Sequence, residues 1–370
     1  MTKMITNHEG FNCLRTSILL WFFYLLYAQM KYGLKGDGYM HMADALISAA
    51  TGGAMWAASA GAASYSVKRV QTEIEENEKK IPLMGVMGAF VFASQMINFT
   101  IPGTGSSGHI GGGILLAAML GPHAGFLTLI SILAIQALFF ADGGLLALGC
   151  NIFNMGFFTC FVAYPLIYKR IIHKGLSKKT ILIGSVIAAV AGLQLGSLAV
   201  VLETFFSGKT ELPFSTFLMI MQPIHLAIGV IEGLLTAAVI TFIWNMRPEL
   251  LEGSSVNKIK NNNKVIVLIL CTAIVIGGFA SWYASSNPDG LEWSIEKTIG
   301  SNEVEGSSKI HKLLSNVQEK ISLLPDYNFQ SDSGTQDGAK FGTSVSGIVG
   351  SILTLIVTAL IGRVSKKFRH

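Results

Sequence analysis

Charge is scarce in this chain. Only 13% of its 370 residues are Asp, Glu, Lys or Arg, about half the share of an ordinary soluble domain. That scarcity excludes a water-exposed globular fold. It also removes nucleic acid as a partner, because the net charge of +5 comes from Lys and Arg grouped beside apolar runs. Cysteine is sparse too. Cys13, Cys150, Cys160 and Cys271 have no metal-ligand spacing, and three lie in or beside apolar runs, where they read as small buried residues. Nucleotide chemistry is missing as well. SGKT at 207–210 looks like the end of a phosphate-binding loop, but Glu203 stands where the first glycine is required. Without a Walker motif, any ATP hydrolysis belongs to other subunits, and without HExxH an intramembrane metalloprotease is disfavoured.

Apolar length is what the chain has. Hydrophobic residues make up 51%, the mean hydropathy is +0.53, and 40 glycines against 9 prolines suit closely packed membrane helices. Runs long enough to span occur near 16–30, 45–66, 83–101, 124–141, 145–168, 181–202, 214–244, 264–284 and 343–363. A further run, 109–121, is short for a span and reads as tilted or partly re-entrant. The expected fold is an all-α polytopic membrane protein. Basic clusters at 67–80, 168–179, 257–264 and 363–370 all fall on one side, which the positive-inside rule makes cytoplasmic, C-terminus included. The outer side then carries Met40, the GTGSSGH turn and the loop near ETFFSGKTELP.

Four segments follow. Residues 1–39 form a leader, either a signal-like segment around ILLWFFYLLYA or an extension upstream of the true start at Met40. Residues 40–250 form the helical body and 251–263 a cytoplasmic linker. Residues 264–370 form a tail of two helices around a polar outer segment, about 285–342, too short and polar to build a large core alone.

Two histidines are hard to justify in so apolar a chain. His41 follows Met40 just before the first long helix, and His109 closes the Gly/Ser-rich turn IPGTGSSGH. Imidazole is the commonest nitrogen ligand of late first-row metals. Each has a plainer reading too: His41 as an interfacial residue at a helix start, His109 as a turn residue. If Met40 is the chain terminus, its α-amine, the His41 amide and the His41 imidazole form adjoining chelate rings around one Ni²⁺ or Cu²⁺-like ion, and His109 is the available fourth nitrogen.

The segments MHMADALIS, PLMGVMGAFVFASQMINFTIPGTGSSGHIGGGILLAAMLGPHAG, QALFFADGGLLALGCNIFNMG and HLAIGVIEGLLTAAV resemble the substrate-binding subunits of cobalt and nickel energy-coupling-factor transporters, over about residues 40–250. Ala43 and Ala45 depart from the family's usual Pro and Gly, and the 39-residue extension has no counterpart in the pattern. The resemblance implies a bundle of about seven helices with the N-terminal segment inserted as ligand and plug. It implies Met40, His41 and His109 as ligands of a transported Ni²⁺ or Co²⁺, and no resident cofactor. It further implies a transmembrane coupling subunit and two ATP-binding cassette ATPases as partners, in a bacterial or archaeal plasma membrane. In the tail, PDGLEW, PDYNF and SVSGIVGS resemble the PDGLE-type partner domain of such systems, here fused.

Around that site Ser106, Ser107, Gln95, Asn98, Gln136, Asn151 and Asn154 are candidates to orient the imidazoles, or else interhelical hydrogen-bond glue. Ala50, Ala54, Ala58 and Ala62 form a small-residue ridge, either packed inside the bundle or, as the resemblance implies, docked on the coupling subunit. His225, Gly229 and Glu232 share one helix face and read as a hydrogen-bonded pair linking helices or as a second cation site. His123 reads as a turn residue on the cytoplasmic side. Two other classes stay in view: a stand-alone cation carrier built on Glu232, and a membrane metalloenzyme, which lacks an evident general base beside the histidines. The tail acids Asp289, Glu292 and Asp326 read as cation-delivering groups or as a solvated loop.

Overall fold

The computed structural model describes residues 41–76, 80–208, 212–251, 264–300, 308–329 and 336–367. The leader, Met40 and most of the 251–263 linker lie outside the described residues. Eleven helices occupy the described chain. They are α1 Ala49–Glu76, α2 Lys80–Gln95, α3 Gly113–Leu120, α4 Pro122–Phe139, α5 Leu148–Ile172, α6 Lys178–Ser207, α7 Phe214–Met246, α8 Lys264–Gly278, α9 Gly290–Ile299, α10 Lys309–Ile321 and α11 Gln336–Lys367. The strands β1 Phe99–Ile101 and β2 Ser106–Gly108 form one antiparallel hairpin, Phe99 opposite Gly108. Five helices have the length and apolarity to cross a membrane: α4, α5, α6, α7 and most of α11. The fold is an all-helical membrane bundle.

Backbone polar groups have no water to turn to in hydrocarbon, so helices dominate. The central α2 is apolar on all sides because it is enclosed: α8 and α11 pack on it, and twelve of its residues are buried. The tail helices are thus walls of the body. Small residues set the closest approaches. A Cβ on Gly233 would stand 2.4 Å from the Val186 Cα, and one on Gly347 would stand 2.2 Å from the Gly277 oxygen. These glycines let α7 meet α6, and α11 meet α8, backbone to backbone.

The short run 109–121 is built as two pieces. Residues 109–112 are non-helical and α3 is only eight residues long, ending at Gly121 (φ 82°) before α4 turns back. The polar segment expected at 285–342 is not merely loop, since it contains α9 and α10. Sequence near 264–284 suggests one continuous helix. α8 stops at Gly278, with a 3-10 turn at Ala280–Tyr283.

Candidate metal site

His41 and Met42 are buried ahead of α1, at 4% and 1% exposure, in a segment wedged among the helix ends. Asn151 fixes that segment by both ends of its amide: Met42 N–H donates to Oδ1 and Nδ2 donates to the Met42 carbonyl, each at 3.2 Å. Asp44 accepts from the Ala147 N–H at 2.8 Å, tying the segment to the loop between α4 and α5. Gly143 in that loop has φ 82°, and a Cβ there would meet the His41 Cβ at 2.8 Å. Only glycine passes.

His109 follows β2 directly, and its ring centroid lies 5.5 Å from that of His41. An ion about 2 Å from a ring nitrogen of each is within reach of both. His41 Nδ1 is 3.0 Å from Asp142 Oδ1, while its Nε2 is buried with no hydrogen-bond partner. Burial pulls the His41 imidazolium down, but the Asp142 charge and hydrogen bond reverse this and leave it above the ordinary histidine value. Asp142 behaves in mirror image. Burial would raise it, and the pairing with His41 and a hydrogen bond from Tyr327 bring it below the ordinary carboxylate value.

The strap 109–112 presents bare backbone inside the bundle, and side chains satisfy it. Gly111 N–H donates to Glu232 Oε2 at 2.9 Å and Gly112 N–H to Oε1 at 3.0 Å. The Gln95 amide serves the other side: its Nε2 donates to the Gly111 carbonyl, and Gln136 Nε2 donates to Gln95 Oε1. Glu232 therefore joins α7 to the strap beside His109. His225 instead bonds the Met221 carbonyl of its own helix at 2.8 Å. Of the two residues expected to link helices by hydrogen bonds, Glu232 does so through the strap, and His225 bonds within its own helix.

The other candidates divide. Ser107 Oγ donates to the Asn287 carbonyl and Ser106 Oγ to the Ser107 carbonyl, so both stiffen the hairpin. The Asn98 carbonyl accepts from the Ser285 N–H. Asn154 is engaged elsewhere, donating to Glu203 of α6 at 2.8 Å. His123 sits at the opposite end of the bundle, beside Ser66, Tyr65 and Phe161. On the ridge, Ala50, Ala54 and Ala58 are exposed and Ala62 is half-buried among the described residues. A Cβ on the neighbouring Gly53 or Gly61 would meet nothing within 4 Å. The reading of tight packing inside the bundle does not fit that bare face.

Sequence reasoning missed Asp142 and the tail's contacts with the hairpin, the N-terminal segment and the loop after α4. Pro288 and Asn287 carbonyls bond Ser107, Trp293 Nε1 donates to the Thr104 carbonyl, and Asp289 caps α9 by accepting from Leu291 and Glu292. His311 Nε2 meets the Ile47 carbonyl, and Gln318 donates to Gly143 and Ala137. Tyr327 donates to Asp142 Oδ2 at 2.6 Å. The solvated-loop reading of Asp289 fails, since it is 7% exposed. A lone carboxylate in the apolar stretch QALFFADGGLL was the available signal for Asp142.

Known proteins resemble this chain along most of its length. The family model described as the cobalt uptake substrate-specific transmembrane region matches residues 41–250, and the PDGLE domain model matches 263–367. A putative fused nickel transport protein of Archaeoglobus fulgidus is 31% identical over 322 residues, 85% of this chain and 96% of that protein. A probable fused nickel transport protein of Lactiplantibacillus plantarum is 32% identical over 264 residues, 69% of this chain and 78% of that one. A crystal structure of a truncated transition metal transporter aligns at TM-score 0.49 with 31% identity, covering 56% of this chain and 99% of that chain. The chain belongs to the cobalt uptake substrate-specific transmembrane family, with a PDGLE domain fused behind it.

Proposed function

We propose that this protein is the membrane-embedded substrate-binding subunit of an ATP-driven Ni²⁺ or Co²⁺ importer. The observation that carries the reading is the meeting of buried His41 and half-buried His109, 68 residues apart in sequence, with ring centroids 5.5 Å apart. The transport names of the fused relatives support the same cargo. In this reading the mature chain begins at Met40. The Met40 α-amine, the His41 amide and imidazole, and His109 offer four nitrogens to the ion, a set suited to near-planar Ni²⁺.

Chelation through the His41 amide uses Nδ1 of the same residue, because only that nitrogen closes a six-membered ring with it. In the present arrangement Nδ1 faces Asp142. A half-turn about Cβ–Cγ presents Nδ1 to the ion and moves Nε2 onto the ring edge that faces Asp142. The carboxylate then accepts from Nε2–H, the usual support for a metal-bound histidine. Release to the inside goes through a two-state movement. That movement is driven by two ATPases acting through a transmembrane coupling subunit docked on the Ala50–Ala62 ridge. The membrane is the plasma membrane, with the basic C-terminus in the cytoplasm. Ser106, Ser107, Gln95, Gln136 and Asn151 serve by fixing the backbone that carries the two histidines.

Two measurements on the purified protein test this together: N-terminal sequencing and metal analysis. The expected result is a chain starting at Met40 with one bound Ni²⁺ or Co²⁺, lost in His41→Ala and in His109→Ala. Full occupancy in either variant would sink the site, and a terminus at Met1 or Thr2 would sink the chelate.

A further inference from the structure

Asp142 has two oxygens and both are taken. Oδ1 faces His41 Nδ1 at 3.0 Å, and Oδ2 accepts from the Tyr327 phenol at 2.6 Å. Tyr327 comes from the PDGLE domain, 185 residues away. Its ring stacks on Phe140, centroids 4.8 Å apart and planes at 13°. The Asp326 N–H donates to the Phe140 carbonyl, the Leu323 and Leu324 N–H groups point to the Phe139 carbonyl, and Ser346 Oγ donates to the Tyr327 carbonyl. Burial, and then the Asp142 charge, push the phenol well above the ordinary tyrosine value, so it stays a donor.

Backbone strain converges on the same contact. Three non-glycine residues among those described have positive φ: Ala141 at 55°, Asp326 at 51° and Tyr327 at 59°. One immediately precedes Asp142, and the other two are Tyr327 and its predecessor. A left-handed residue costs roughly 1–2 kcal/mol and persists where surrounding structure over-determines it, commonly at functional sites. Here the strain on both segments aims one carboxylate and one phenol at each other.

We infer that Tyr327 is a positioning residue of the metal site: its phenol fixes the Asp142 carboxylate, and Asp142 sets the plane of the His41 ring. The inference rests on the reading that His41 binds the ion. Whichever ring nitrogen meets the metal, the other is the one that a carboxylate steadies and makes a better ligand. The fused domain thus supplies the outermost link of the chain Tyr327–Asp142–His41.

The test uses the full-length protein, stripped of metal and titrated with Ni²⁺, while the ligand-field absorption of bound Ni²⁺ is recorded. Tyr327→Phe keeps the stack on Phe140 and loses only the hydroxyl, so it should fold as the parent does, with a melting temperature lowered only by the loss of one hydrogen bond to a charged acceptor. Its Ni²⁺ dissociation constant should rise about tenfold and Asp142→Ala about 10–100-fold, the range seen for such supporting groups. The double variant should bind no worse than Asp142→Ala alone, and the absorption band should shift in Tyr327→Phe. Unchanged affinity and band in Tyr327→Phe, or additive losses in the double variant, would overturn the inference. His41→Ala separates the two claims. If it abolishes binding while Tyr327→Phe is silent, the metal site stands and the positioning role falls; if it binds Ni²⁺ normally, the site itself is wrong.

Discussion

Asp289 shows how one residue can serve the fold at a cost that pH reveals. Its Oδ1 accepts two N–H groups at the start of α9, at 2.8 Å each, yet the residue is buried. Burial raises its pKa from 3.8 to about 6, with the two backbone bonds and His41 opposing that rise and Asp142 adding to it. A carboxyl with a folded pKa above its unfolded one favours the fold in its protonated form. Its contribution is complete below about pH 4 and is lost as pH rises through about 6. Asp289→Asn keeps a capping oxygen and removes the charge. In metal-free protein it should therefore melt higher than the parent at pH 7.5, with the gain vanishing near pH 4. A lower melting temperature at neutral pH would show that the charge itself is needed there.

The strap of residues 109–112 is the element on which the site hangs. It is non-helical backbone within a membrane bundle, tolerable only where protein satisfies its polar groups. Glu232 accepts both the Gly111 and Gly112 N–H, so its carboxylate holds the strap. Glu232→Ala orphans two buried donors, at roughly 1–3 kcal/mol each. A clear drop in melting temperature is expected, together with weakened Ni²⁺ binding, because His109 adjoins the strap. Glu232→Gln keeps one acceptor and should fall between the two. Normal stability in Glu232→Ala would show that the strap has other support. The sequence marks 109–121 as too short to span, and that is legible from length alone. Which side chain would hold its loose amides is not, since Glu232 lies 120 residues away and helical spacing records only that it shares a face with His225.

At the scale of the whole molecule, the bare ridge and the covered site point in different directions. Ala54 and Ala58 are exposed on α1, while His41 is buried and His109 half-buried. Substituting Ala54 and Ala58 by Trp should leave Ni²⁺ binding by the isolated protein unchanged. If the proposed coupling subunit and ATPases dock there, the same variant should lose copurification with them, because a small-residue face works only if another helix can come close. Copurification that survives would place the docking face elsewhere. The tail bears on this scale as well. Read as sequence, its outer segment is a polar loop; folded, it carries α9, α10 and Tyr327 onto the hairpin, the N-terminal segment and Asp142.

Apolar run length, basic-loop placement and the motifs around Met40, His41 and His109 determined by themselves that this is a helical membrane protein of one recognisable family, because burial in lipid imposes a pattern that composition cannot hide. Tertiary structure alone decided how the remaining polar groups pair. Asn151 went to the Met42 backbone, Asn154 to Glu203, Glu232 to the strap, and Asp142 to both His41 and Tyr327. The reason is physical. Hydrophobic periodicity specifies which face turns inward, but a buried polar atom bonds whatever partner packing brings within about 3 Å, and here those partners come from loops and a second domain far away in sequence.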